Sequence, residues 1–364
     1  MGRSPQPTAQ AFDSPALRRL RTDLGTWAEA LGFQALGVAG IDLTEDERRL
    51  KRWLEEGRHG SMRWMAAHGS KRTRPAELVP GTVRVITARM NYLATTQDEA
   101  LSNLADPARA YVARYALGRD YHKLIRKRLQ KLADRLSEEV GPTGYRVFCD
   151  SAPVMEKPLA ARAGLGWTGK HSLILDRRAG SWFFLGEIYT DLPLPVDAPT
   201  SAHCGSCRRC IDVCPTGAIT APHQLDARRC IAYLTIENRG PIPEPLRPLV
   251  GNRIFGCDDC QLVCPWNRHA QRSKEAAMAP RESLRTGRLA DFLGWSEERF
   301  LRETEGNPLR RTGHTGFLRN VAVALGNGPP SDAATAALRG RLGHPSELVR
   351  EHVRWALDRQ ARNA

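Results

Sequence analysis

The chain has 364 residues, 54 Lys+Arg against 40 Asp+Glu for a formal net charge of +14, and nine cysteines. A hydrophobic fraction of 41% with 26% charged residues describes a globular protein long enough for two or three domains, and excludes a disordered tail. No apolar run approaches the ~18 residues that a membrane-spanning helix needs, so no membrane partner is expected. The basic residues are 46 Arg and only 8 Lys. That balance fits either an Arg-rich solvated surface or a polyanionic partner such as nucleic acid. Residues 1–12 are polar, and Arg18-Arg19 is not followed by an apolar segment, so neither a secretory nor a twin-arginine signal is legible and a cytoplasmic location is expected. In that reducing setting cysteines read as metal ligands or catalytic groups rather than disulfides.

Along the chain, helical patterns such as Leu124–Leu136 alternate with strand-like runs at 83–87 and 145–149. A further pair, 172–175 and 182–185, reads as two strands with Gly180 in the turn between them. These elements predict an α/β domain over 15–195, followed by an extended linker marked by Pro193, Pro195 and Pro199. Eight of the nine cysteines then crowd between Cys204 and Cys264, which defines a small module over 196–272. Beyond it the strand signals vanish. Leu318, Val321, Ala322 and Leu325 form one helical stripe, and Val349, Val353 and Ala356 repeat it about thirty residues on, so 273–364 reads as a short HEAT-like repeat or a generic helical cap. The expected class is α+β: an N-terminal α/β domain, a central two-cluster ferredoxin-like module and a C-terminal all-α HEAT-like repeat.

The cysteine spacing carries the most specific chemistry. Cys204-x2-Cys207-x2-Cys210-x3-Cys214-Pro215 is echoed by Cys257-x2-Cys260-x3-Cys264-Pro265, with Cys230 detached between them. Thiolates at this spacing wrap one face of a cubane cluster, while the cysteine before proline serves the neighbouring cluster. The ligand sets are therefore expected to interleave. Cys204, Cys207, Cys210 and Cys264 would hold one 4Fe-4S cluster, and Cys214, Cys230, Cys257 and Cys260 the other. Paired structural zinc sites are the competing reading, but zinc favours two separated Cys-x2-Cys pairs rather than two runs that end in Cys-Pro.

Two clusters form a one-electron wire, and the N-terminal domain is expected to hold its terminus. Asp150 follows an apolar strand and precedes a proline turn, where it serves either as a general acid, its pKa raised if a large cofactor half-buries it, or as a turn cap. Gly164, Gly166 and Gly169 read as a ligand loop or as turn punctuation. Cys149 reads as a core thiol. His122, His171 and His203 are possible metal ligands without a supporting His pair. Asp120-x-His122 begins a cobalamin-binding Asp-x-His-x-x-Gly signature, but Ile125 occupies the glycine position.

The ordered motifs Arg114-Tyr-Ala-Leu-Gly-Arg-Asp-Tyr-His122, Asp150-Ser-Ala-Pro-Val154, Gly164-Leu-Gly-Trp-Thr-Gly-Lys-His-Ser172, the cysteine runs, Tyr233-Leu-Thr-Ile-Glu237 and Gly256-Cys-Asp-Asp-Cys260 resemble the epoxyqueuosine reductase family from about residue 15 to the end of the chain. The resemblance implies reduction of epoxyqueuosine to queuosine at the wobble position of tRNA. It implies cob(I)alamin chemistry, Asp150 as proton donor, and electrons arriving through two 4Fe-4S clusters from an external donor. It also implies a base-off cobalamin with no protein histidine on cobalt, in agreement with Ile125, and a monomeric protein. By residue matching, Arg72, Tyr115, Asp150, Lys170, His171, Tyr233 and Glu237 lie near the corrin. Lys157 stands where the family often has Arg, and Lys157, Arg310, Arg311, Arg319 and Arg350, with Arg354 beside them, are the expected tRNA contacts. The rival enzyme reading is a reductive dehalogenase-like corrinoid reductase of a small organic substrate. A simple electron carrier would leave the N-terminal residues without a role.

Overall fold

In a computed structural model, residues 15–363 are described, so the polar residues 1–12 lie outside the described part. The strands in chain order are β1 (Ala35–Ala39), β2 (Arg84–Asn91), β3 (Tyr111–Val112), β4 (Tyr145–Phe148), β5 (Trp167–Thr168), β6 (Ile174–Leu175), β7 (Phe183–Thr190), β8 (Ile219–Ala221), β9 (Gln224–Leu225) and β10 (Arg253–Phe255). The main sheet has the order β1-β2-β7-β4 and every pairing is antiparallel. Its two central strands are buried along almost their whole length because both faces are covered. On one face lie the helices Pro15–Ala30 and Tyr121–Val140, which pack with Phe184 and Ile188. On the other lies the short helix Glu156–Arg162, against Phe183 and Tyr189.

The expected 172–175/182–185 hairpin does not form. β6 pairs with β5, and the second run enters the main sheet as β7. Only the isolated bridge between Asp176 and Gly180 closes the turn. Strands of two residues carry too few cross-strand contacts for apolar pattern alone to fix their partners. The glycines of 164–169 serve close packing: a Cβ on Gly166, at φ +150°, would lie 2.1 Å from the carbonyl oxygen of Leu175.

A second core joins the cysteine-rich segment to the C-terminal helices and recruits Ala110, Val112, Ala116 and Leu117 from the N-terminal part. The link is β3, which pairs in parallel with β10. Asp258 reinforces it by accepting hydrogen bonds from the Tyr111 hydroxyl and the Arg114 backbone N–H, both at 2.8 Å. Ala110, Val112, Ala116 and Leu117 thus pack in this second core, while Tyr111 stays in the core of the main sheet.

The helix Gly313–Asn327 is buried on every side from Phe317 to Gly326, so it is the centre of this core rather than an outer repeat. Its Leu318, Val321 and Ala322 pack with Val349, Val353 and Ala356 of the helix Glu347–Asn363, as the two stripes require. Arg319, expected on tRNA, is 1% exposed. Its guanidinium donates to the carbonyls of Leu234, Asn238 and Gly240 at 2.6–2.8 Å. A buried guanidinium that satisfies three carbonyls cannot meet a phosphate. Arg319→Leu should therefore lower unfolding stability by about 3 kcal/mol, the order expected when several buried acceptors lose their donor. Urea denaturation checks this, and tRNA affinity of the folded protein should stay unchanged.

Candidate active site

The eight module cysteines are all free and sort into two cavities. Cys204, Cys207, Cys210 and Cys264 line one of about 300 Å³, beside His203, Trp266 and Lys170. Cys214, Cys230, Cys257 and Cys260 line another of about 400 Å³, the inner cavity. The thiols thus group in the interleaved sets that spacing predicts. Gly256 is required at this point, because its φ is +70° and a Cβ would lie 2.6 Å from Ala113 Cβ.

The wall of the inner cavity opposite the thiols is aromatic and aliphatic, built from Tyr92, Phe183, Phe184 and Leu185. At its mouth Asp150, Tyr115 and Tyr121 also border an outer cavity of about 1070 Å³. The outer lining includes Arg119, Lys123, Arg126, Lys127, Arg310 and Arg311. Asp150 therefore stands between an apolar, thiol-backed chamber and a basic one.

Local structure explains how Asp150 is held. It follows β4 after Cys149 and adopts φ 55°, a left-handed conformation that Asp tolerates better than most residues and that recurs at strained functional positions. Tyr121 donates to Asp150 Oδ2 at 2.7 Å, and its ring is clamped between Phe184 at 3.7 Å and His122 at 4.2 Å between centroids. His122 Nε2 lies 3.0 Å from the same oxygen. The other ring nitrogen, Nδ1, lies 2.6 Å from Asp120 Oδ1, and Asp120 also caps the helix by accepting from the His122 backbone N–H.

This network reverses one expectation. Burial alone would raise the Asp150 pKa, but hydrogen bonds from His122 and Tyr121, helped by the charge of Arg311, hold it below the usual carboxylate value. Burial works against a charged His122, yet its contacts with Asp120 and Asp150 outweigh that and lift it to about 9. At neutral pH the proton therefore resides on His122 and Asp150 is a carboxylate. His122 was legible only as an unsupported metal ligand; its place beside Asp120 at a helix start is the signal that marks it.

The remaining expected residues separate. Tyr115, His171 and Lys157 line the inner cavity, so Lys157 faces that chamber rather than the basic one where tRNA contacts were expected. His171 also borders the first thiol cavity; burial lowers its pKa to about 4, and its buried Nε2 has no hydrogen-bond partner. Lys170 donates to the carbonyls of Gly205 and Cys207, which fixes the first cysteine loop. The Arg72 guanidinium is buried on the Trp64 and Met65 carbonyls, and the Tyr233 hydroxyl bonds Ser61, so both shape neighbouring loops and neither borders the inner cavity. Glu237 lies in the outer cavity, paired with Arg311 at 3.0 Å. Arg310 and Arg311 line that cavity as expected, whereas Arg350 and Arg354 pair locally with Glu347. The cations that composition did not single out are Arg119, Lys123, Arg126 and Lys127, gathered at the first turns of the helix Tyr121–Val140.

If Asp120 supplies part of the proton affinity of His122, Asp120→Asn should bring the imidazole down from about 9 toward its ordinary value near 6.5. The loss of His122 charge with rising pH then begins earlier, which an NMR titration of the ring protons measures.

Among the described residues no helix is long and apolar enough to cross a membrane. A family model described as 4Fe-4S double cluster binding domain matches residues 203–267, and one described as Epoxyqueuosine reductase QueG, DUF1730 matches residues 72–151. The chain is 59% identical over 358 residues to the epoxyqueuosine reductase of Pseudomonas aeruginosa, covering 98% of this chain and 99% of that protein. Its structure is similar to an epoxyqueuosine reductase crystallised with a tRNA-Tyr epoxyqueuosine-modified stem loop, with TM-score 0.87, 27% identity and coverage of 94% and 91%. It is also similar to the Bacillus subtilis enzyme with its aspartate-bearing catalytic loop swung out of the active site, with TM-score 0.84, 28% identity and the same coverage. With this identity over nearly the whole length of both sequences, the chain belongs to the epoxyqueuosine reductase family.

Proposed function

We propose that the two cavities meeting at Asp150 are where this enzyme reduces the epoxide of epoxyqueuosine in tRNA to queuosine. The observation that carries the reading is the position of Asp150, shared by the thiol-backed chamber and the basic chamber. The modified base reaches Asp150 from the outer side while its phosphates rest on the cations there. The tRNA-bound relative supports the substrate, and the catalytic loop of the Bacillus subtilis relative, which carries an aspartate, supports the role of Asp150.

Each four-thiol cavity fits a 4Fe-4S cluster, with Cys204, Cys207, Cys210 and Cys264 as one ligand set and Cys214, Cys230, Cys257 and Cys260 as the other. The apolar aromatic wall of the inner cavity, with the unpartnered His171 Nε2 at its edge, fits the broad face and polar rim of cobalamin. When bound, cobalamin supplies a strongly reducing, nucleophilic metal centre, and the clusters supply electrons one at a time.

The rest of the task falls to protons and charge. Converting an epoxide to an alkene with loss of water consumes two electrons and two protons, and the oxygen leaves readily only when protonated. Asp150 Oδ2 stands at the mouth where that oxygen arrives; the carboxylate carries no proton of its own at neutral pH, so it passes on the one it takes from His122 across their 3.0 Å contact as the oxygen leaves. Tyr121 keeps the carboxylate aimed, and Tyr115 with Phe184 excludes water from the inner side. Since His122 carries its proton below about 9, turnover should decline as pH rises through that value.

Asp150→Asn should retain iron, sulfide and tRNA binding but lose at least about 10²-fold in kcat, the usual scale for a positioned acid. Near-normal turnover would remove Asp150 from the chemistry. On the outer side, Lys123→Ala and Arg126→Ala should each weaken tRNA binding and reduce the slope of log K against log salt by about 0.7. Arg350→Ala should leave that slope unchanged, because its guanidinium is committed to Glu347 and to the His344 and Pro345 carbonyls.

A further inference from the structure

Behind Asp150 lies a second pair of carboxyl groups that the proton path described above does not use. Glu156 opens the short helix Glu156–Arg162 and lines the inner cavity. Its Oε1 accepts the backbone N–H of Asp150 at 2.6 Å. The loop between them is tightly wound: Ser151, Ala152 and Val154 each donate to the carbonyl two residues earlier, at 2.7–2.8 Å. Such a loop, with Asp150 at φ 55°, holds its shape only if something outside it supplies the anchor. Glu156 is the anchor of its backbone, as Tyr121 and His122 are of the Asp150 side chain.

Glu187 stands in the middle of β7, opposite Phe148 of β4, and is fully buried. As a carboxylate it is untenable there, because neither of its oxygens receives a hydrogen bond from any donor. The side chain in hydrogen-bonding contact with it is Glu156, itself an acceptor toward Asp150. Two carboxylates in contact repel, and a proton between them removes the repulsion and satisfies both. The charged and titratable groups around the pair are Asp150 and Lys157 on its own loop and helix, Cys149 beside β4, and Tyr189 on β7.

We propose that Glu156 and Glu187 share one proton and that this bridged pair holds the Asp150 loop in its reacting position, which makes Glu156 a positioning residue for proton delivery. The inference deepens the proton-donor reading of Asp150 and rests on it for its catalytic consequence. Burial, then the charge of Asp150, pushes Glu156 up to about 7, and burial beside Glu156 raises Glu187 well above the carboxylate range. Glu156 accepts from Glu187, so the pair gives up its first proton near 7 and keeps the second, on Glu187, to higher pH; the singly protonated bridge therefore forms as pH rises through about 7. Below that value both carboxyl groups are protonated and Glu156 accepts the Asp150 N–H only as a neutral group, so the loop is held less firmly.

Hydrogen–deuterium exchange of residues 149–155 in the full-length protein, corrected for the intrinsic pH dependence of exchange, tests this without tRNA or cobalamin. Protection in the wild type should rise as pH rises through about 7. Glu156→Ala should remove the protection at every pH and lower kcat by about 10²-fold with KM unchanged, the scale of a misplaced catalytic group. Glu187→Gln should make protection independent of pH, because its amide donates to Glu156 permanently. Glu156→Gln should do the same, with its carbonyl on the Asp150 N–H and its amide on Glu187, so misfolding of one variant leaves the test intact. Protection that is flat with pH in the wild type, intact in Glu156→Ala, or equally pH-sensitive in the two Gln variants overturns the proposal. Because exchange needs no turnover, these outcomes are distinct from failure of Asp150 as proton donor, which Asp150→Asn reports.

Discussion

The constraint on which the rest depends is the crossing of the two cysteine runs. Cys214 leaves the first run to join the cavity of the second set, and Cys264 leaves the second run to join the cavity of the first. That exchange forces the short helices Arg209–Asp212 and Asp259–Leu262 against each other. The chain between them has to close as a loop, whose Cys230, Ile231 and Ala232 form part of the wall of the inner cavity and lead into the π-helical turn Tyr233–Glu237. The helix Gly313–Asn327 seals that wall, with Arg319 on the Leu234, Asn238 and Gly240 carbonyls and Asn320 on those of Thr235 and Ile254. Asp258, between two cysteines, fastens the same module to Tyr111 and Arg114. A single interleaving thus fixes where the N-terminal sheet, the thiols and the C-terminal helices meet.

The meeting point is electrically divided. Inside, the lining is mostly aromatic rings, aliphatic groups and thiols; outside, six cations face the entrance. Asp150 can remain a carboxylate at this boundary because His122, Tyr121 and Arg311 stabilise its charge, and it lies near the N-terminal end of the helix Tyr121–Val140, where the backbone dipole adds to that effect. The same dipole opposes a charged His122, so the contacts with Asp120 and Asp150 have to outweigh it as well as burial. Behind the boundary, buried carboxyl groups keep a proton that surface carboxyl groups would lose. The site therefore separates a group that stays charged from groups that stay protonated over a few residues of chain, which is the arrangement acid–base chemistry at neutral pH needs.

What was legible in the sequence follows from how local each signal is. The thiol grouping follows from the spacing and Cys-Pro ends of the two runs, so which thiols share a cavity could be read before any fold was known. The Asp150 motif and the C-terminal stripes are equally local, and the structure keeps them. Arg319 and Arg310 look alike in sequence, yet one is enclosed and the other borders the outer cavity, because the helix Gly313–Asn327 is surrounded by a core that no residue pattern within the helix announces. Glu187 was invisible for the opposite reason. A lone acid on a strand reads as solvent-facing, whereas β7 is covered on both faces. The partners that hold the Asp150 pKa down could not be read beside it, because they come from a helix nearly thirty residues earlier.

The central claim is that epoxide reduction occurs at this junction of cavities and depends on a corrin in the inner one. Anaerobic incubation of the reduced, cluster-loaded protein with tRNA carrying epoxyqueuosine, with and without added cobalamin, tests it most directly. The account predicts queuosine in the tRNA only when cobalamin is present. Conversion without cobalamin, or none with clusters, corrin and tRNA all bound, would contradict it.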